Sequence, residues 1–167
     1  MSSSLNDVLP EPVRPEVAAA FRELVKGKLK GCASMLVTVM RALEAKYGPE
    51  AMQVAEEAIS ATRKPRPANQ LKSPEEDLAD FCAGLERGCW CHEWEKVVDT
   101  PTRQGYRFTR CLWADIFNEL GARDIGWWWC GGDEPSAKAY NPAIGFERTK
   151  TLMDGEGECD HVFKVRE

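Results

Sequence analysis

No stretch of the sequence approaches the roughly 20 consecutive apolar residues that a membrane-spanning helix needs, so no membrane partner is expected. Basic residues number 22 against 27 acidic ones, a formal net charge of −5. Without a basic excess to neutralise a phosphate backbone, nucleic acid is set aside as a partner. Histidine is scarce: imidazole chemistry near neutral pH rests on His92 or His161 alone. A glycine-rich phosphate loop, a G-x-S-x-G elbow and an H-E-x-x-H pair are all missing, which disfavours nucleotide, serine-hydrolase and zinc-protease readings. The opening "MSSSLNDVLPEPVRPE" has no basic region followed by an apolar one, so a cytoplasmic location is expected.

What is present describes an ordinary globular chain, 43% hydrophobic and 29% charged over 167 residues, enough for one domain with its own core. Seven cysteines, an odd number in a chain without an export signal, read as reduced thiols rather than a disulfide framework. Residues 1–14 are expected to be a flexible N-terminus, and the proline-rich basic stretch 63–74 an exposed loop.

Periodicity divides the chain in two. Val17, Phe21, Leu24, Val25 and Leu29 predict a helix from Pro15 to about Lys30, and Cys32, Met35, Leu36, Val39, Met40, Leu43 and Tyr47 predict a second, the most buried of all. A third uses Met52, Ala55, Ala58 and Ile59. A fourth is capped by Ser73, with Pro74 at its first position, and ends at Gly88. After Gly88 the alternation changes to that of strands: a hairpin turning around 101–105, a short helix from Leu112 to Gly121, and two final strands joined at "DGEG" (154–157). The fold class expected is α+β, N-terminal helices packed on a C-terminal antiparallel sheet with a short inserted helix.

Three clusters could carry chemistry. In "WWWCGGDEP" (127–135) three indoles precede Cys130 and Asp133; the bland reading makes the rings core and Asp133 a helix cap, the functional one makes them walls that shift the pKa of a thiol or carboxylate. In "GECDHVF", Cys159, His161 and Phe163 share one strand face, and a tight turn would put Arg148 near Phe163 and Lys150 near His161. "CWCHEW" offers Cys89, Cys91 and His92, but its spacing lacks a matching second pair; Cys111, Cys130, Cys159 or Asp133 would have to complete a zinc site, and no metal or cofactor is expected.

Arg110-Cys111 ahead of a helix ending at Gly121, Cys130 and Asp133 three apart, Asn141-Pro142, "RTKTLMDG" from Arg148 and "CDHVF" from Cys159 together resemble the C-terminal half of the L-2-amino-thiazoline-4-carboxylic acid hydrolase family. His161 departs from it, since the family more often has an aromatic there. The resemblance implies hydrolytic opening of a small cyclic amidine carrying a carboxylate. Asp133 would be general base or orienter of water, Cys130 a nucleophile with Cys111 as a second catalytic thiol, and Arg148 or Arg110 the carboxylate clamp, with Trp129 and Cys159 at the substrate; His161 is added to the substrate site on its own chemistry, not the family's. A non-catalytic ligand-binding or sensor domain with a cysteine-lined pocket is the alternative, and a homodimer is compatible with either.

Overall fold

The computed structural model describes residues 11–166, so the expected flexible N-terminus falls largely outside the described residues. The fold is α+β. Helices α1 (Pro15–Tyr47), α2 (Glu50–Ala61) and α3 (Pro74–Gly88) precede strands β1 (Glu93–Thr100) and β2 (Arg103–Arg110). Three short helices, α4 (Leu112–Glu119), α5 (Arg123–Cys130) and α6 (Asp133–Tyr140), are inserted before β3 (Ile144–Glu147) and β4 (Cys159–Val165). The strands form one antiparallel sheet in the order β1-β2-β4-β3.

The first two expected helices are one. α1 runs unbroken through Gly31, because a lone glycine costs a helix only about 1 kcal/mol and cooperative propagation on both sides carries the helix across it. Its second half is not the most buried helix either. The apolar series from Cys32 to Tyr47 contains adjacent pairs such as Met35-Leu36 and Val39-Met40, which point about 100° apart and so wrap more of the helix than a one-sided core can cover. Met40 is buried and Leu36 half-buried, whereas Met35 is 71% exposed and Val39 56%. The first described helix with a full sequence signature is α3: Ser73 Oγ accepts from the Glu76 amide and the Glu76 carboxylate accepts from the Ser73 amide, a reciprocal cap.

The β1–β2 turn is tighter than expected, with Thr100 opposite Arg103 across Pro101-Thr102. The last two strands do pair, Phe146 opposite Phe163, but "DGEG" does not join them directly. Residues 148–158 leave the sheet, and the 3-10 turn Leu152–Asp154 drives Met153 into the helical core. Gly126 of α5 makes room for it: a Cβ there would lie 2.6 Å from the Met153 sulfur and 2.9 Å from Phe117 Cβ. Lys150 accordingly pairs with Glu158 instead of facing His161.

Two apolar clusters result. One lies among α1, α4 and α5 (Met40, Leu112, Ile116, Phe117, Ile125, Trp128, Met153); the other lies between the sheet and α3 and α6 (Leu78, Tyr106, Phe108, Ala137, Ile144, Phe163). The proline-rich segment is mostly exposed yet tethered. The Arg66 amide donates to the Ala139 carbonyl at 2.8 Å, and the Arg66 guanidinium pairs with fully buried Asp77 at 2.9 Å. Asn141 and the Lys72 amide complete the Asp77 shell at 2.8 and 3.0 Å. Burial raises this carboxyl's pKa, and these donors more than reverse the effect, so it stays charged.

Candidate active site

The cavity that matters lies on the seam between the two clusters. It has a volume of about 210 Å³ and is lined by Cys89, His92, Phe108, Cys111, Trp113, Trp129, Cys130, Asp133, Cys159 and His161. At roughly 30 Å³ per water it holds about seven waters or one small heterocycle. β2 and β4 build its floor. Phe108 pairs with Cys159 and Tyr106 with His161, and the two-residue strand period keeps Phe108, Cys159 and His161 on the same face. Helix ends build the rest: Cys111 sits just before α4, Cys130 ends α5 and Asp133 begins α6.

The three consecutive tryptophans lie on α5, where successive side chains diverge by about 100°, so each has a different duty. Trp128 is buried in the helical core. Trp127 donates its indole N–H to Asp154 at 2.7 Å and lies under the Arg148 guanidinium, 5.0 Å from its ring centre. Trp129, partly exposed, lines the cavity and packs on Trp113 with ring centres 5.1 Å apart.

Of the two readings open for Asp133, the helix cap is not what the structure has. Gly132 holds the cap position and makes no side-chain bond there; Asp133 is the first helical residue, its carboxylate turned to Arg148 and the cavity. Arg148 Nη1 donates to Asp133 Oδ2 at 2.9 Å and to the Cys130 carbonyl at 3.1 Å. Held between Trp127 and Phe146, the Arg148 side chain is only 10% exposed. Asp133 keeps 26% of its side-chain surface open. Its surroundings nonetheless push its pKa up to about 6: burial dominates, and the Arg148 charge and hydrogen bond, with the Arg63 charge, restore only part. Arg63 stands over the Gly131-Gly132 turn, bonded to Ser136 Oγ at 3.2 Å.

Burial pushes the cavity thiols the other way from activation, Cys130 and Cys89 up to about 12 and Cys111 to about 11. All three are thiols at neutral pH. Both histidines are neutral. Burial holds His92 down to about 4, and its Nδ1 accepts the first amide of α4, from Leu112, at 3.0 Å. Burial, helped by the Arg148 charge, takes His161 down to about 3. Its side chain is 12% exposed and edged by Phe108 and Phe146, its Nε2 is 4.0 Å from Asp133 Oδ2, and neither ring nitrogen has a hydrogen-bond partner. A buried imidazole facing a cavity can donate to and accept from a polar ligand atom there.

The structure thus gathers Cys111, Cys130, Asp133, Cys159, His161 and Trp129 around one space, with Arg148 tied to it through Asp133. Arg110 is elsewhere: its Nε bonds Asp115 at 3.1 Å, and Glu93 and Glu23 lie within 4 Å of the same guanidinium. Cavity residues that sequence reasoning did not place here are Phe108, Trp113, Cys89 and His92; the last two carried a signal in "CWCHEW" that was read as a metal motif, with His92 also named as a possible acid-base group. Among the described residues no group of three or more His, Cys, Asp or Glu is arranged to hold a metal ion.

The family model described as L-2-amino-thiazoline-4-carboxylic acid hydrolase matches residues 30–163 of the 167, a span that includes all of the cavity lining. The chain belongs to this family. No curated protein matches it. Among solved structures it is similar to the crystal structure of the phenol-responsive sensory domain of the transcription activator PoxR with phenol, at 12% identity over 79% of this chain and 73% of that chain, with a TM-score of 0.44.

Proposed function

We propose that the protein hydrolyses a small cyclic amidine bearing a carboxylate, of the 2-amino-thiazoline-4-carboxylate type. The observation that carries this reading is Asp133: a carboxylate with a pKa near 6, opening into a cavity of aromatic rings and protonated thiols and fixed there by a nearly buried arginine. A base of that pKa is ionised at neutral pH and still takes a proton readily. Asp133 removes a proton from water as the water adds to C2 of the ring. The ring nitrogen gains a proton, and the tetrahedral carbon then releases the ring sulfur, giving an N-carbamoyl-cysteine-type product.

With burial pushing their pKa values up to about 11–12, Cys130 and Cys111 stay protonated, so activated water is preferred over a cysteine nucleophile, and Asp133 hands the proton it takes from water to the ring nitrogen and then the adduct's hydroxyl proton to the leaving sulfur. Arg148 uses Nη1 on Asp133, and its remaining N–H groups are assigned to the substrate carboxylate. Neutral His161 offers one donor and one acceptor to the amidine, and Trp129 and Trp113 cover the flat ring. Asp133→Asn is expected to lower kcat by about 10²–10⁴-fold, and Arg148→Ala to raise KM as well, since it removes both the clamp and the group that holds Asp133.

The protonated thiols favour one other reading, a binding module, because a pocket of neutral sulfur and aromatic rings recognises a small ligand without turning it over. Calorimetric binding of the amidine with no product formed by the wild-type protein would select that reading.

A further inference from the structure

The outward face of α1 is not explained by the cavity or by either core. Val17, Phe21, Leu24, Met35, Val39, Leu43 and Tyr47 are all more than a third exposed, and Cys32 is exposed with them. With Lys28, the residues from Val17 to Leu43 follow a 4-3-4 spacing, which Tyr47 leaves by one position: Val17, Lys28 and Val39 are 11 apart, as are Phe21, Cys32 and Leu43. An 11-residue repeat, 3.67 residues per turn, drifts little around a straight helix, so the stripe stays on one face along the 33 residues of α1, about 50 Å. Monomeric proteins rarely leave so long an apolar patch in water.

A second observation lies at its midpoint. Gly27 and Gly31 stand in the middle of this helix, where each costs stability relative to alanine, and a Cβ added at either would meet nothing within 4 Å. Their lack of side chains therefore serves no contact inside this chain. At Gly31, which borders the stripe, it leaves a shallow place where another helix can come close.

We propose that this face binds a second copy of the same chain, α1 against α1 in antiparallel order about a twofold axis at Cys32. The pattern itself selects the occupant. A twofold interface must be self-complementary. Antiparallel α1 helices centred near Cys32 put Val17 beside Tyr47, Phe21 beside Leu43, Leu24 beside Val39 and Lys28 beside Met35, with the large residues outermost, Cys32 at the crossing and Gly31 at its edge. The Lys28 stem lies along Met35 while its ammonium group reaches water. A face about 50 Å long and about 10 Å across offers about 1,000 Å² over both partners, at the threshold for a specific interface.

Sedimentation velocity of the full chain at micromolar concentrations is expected to give twice the 18.7 kDa chain mass. Val39→Glu, at a position open enough to leave the monomer's circular dichroism unchanged, is expected to raise the dimer dissociation constant by at least about tenfold. A short bis-maleimide is expected to link the wild-type chain into a covalent dimer and to fail on Cys32→Ser. In the Cys32→Ser background, chains carrying Leu24→Cys are expected to link to chains carrying Val39→Cys and not to themselves. A wild-type chain that stays monomeric up to about 100 μM, a dimer indifferent to Val39→Glu, or Leu24→Cys chains that link to one another would overturn the proposal.

Discussion

The helical and the sheet halves of the molecule use their apolar residues at different efficiency. α1 commits 33 residues and buries only Ala33 and Met40 fully, leaving a second apolar stripe outside. The sheet half is shorter in chain and denser in rings: Tyr106 and Phe163 are fully enclosed, Phe81 and Phe146 pack on Phe163 with ring centres 5.1 and 4.9 Å away, and Trp94 stands edge-on to Tyr106. Strands alternate their side chains, so each faces the core or leaves it; a long helix with adjacent apolar pairs has no such economy. The candidate active site stands where the two meet, drawing rigidity from the sheet floor and polarity from three helix ends, and that division is open to test.

The largest stability effect belongs to the sheet. Phe163→Ala, at a position with no exposed surface, is expected to cost about 3–5 kcal/mol in denaturant titration, since the surrounding rings cannot collapse into the space. A loss below about 1 kcal/mol would mean that the sheet core is as loose as the outer face of α1.

An intermediate effect depends on pH. His161 has its folded pKa depressed to about 3. The unfolded chain therefore binds a proton that the folded one refuses, and stability is lost as pH falls from about 6.5 toward 3. Asp133, raised to about 6, works in the opposite sense between about 6 and 3.8, but it is common to wild type and variant. His161→Phe is therefore expected to gain about 2 kcal/mol over wild type on going from pH 7.5 to pH 5, a shift of 1.5 pH units below the normal histidine value. Equal differences at the two pH values would place His161 in water.

The smallest effect belongs to the helical periphery: Val54→Ala, at a position 63% exposed on α2, is expected within about 0.5 kcal/mol of wild type.

How much was legible follows the same division. The reciprocal cap of Ser73 and Glu76, the strand pair around Pro101 and the shared face of Cys159, His161 and Phe163 are local, and sequence spacing carries them. The one-helix continuity of α1 was missed because Gly31 looks like a boundary when helix propagation on both sides is ignored. The direction of the excursion at 148–158 was missed because it depends on a hole at Gly126, set by a helix 27 positions before Met153. In the site, Cys130 and Asp133 stand together in sequence, so they could be named. Phe108, Trp113 and the Cys89–His92 turn come from three separate segments of chain, and only the packing of two clusters brings them to one cavity. The engagement of Arg110 with Asp115 was equally out of reach, since nothing in sequence tells an arginine which of several carboxylates it will meet.

The central claim is that Asp133, and not a thiolate, activates the attacking group, and the pH dependence of kcat/KM on 2-amino-thiazoline-4-carboxylate tests it most directly. The free enzyme's base should appear as an acid limb with a midpoint near 6, the rate falling about tenfold per pH unit below it and levelling above about pH 7. A profile that instead keeps rising past pH 9, toward the values to which burial pushes Cys130 and Cys111, would contradict the account and make a cysteine the nucleophile.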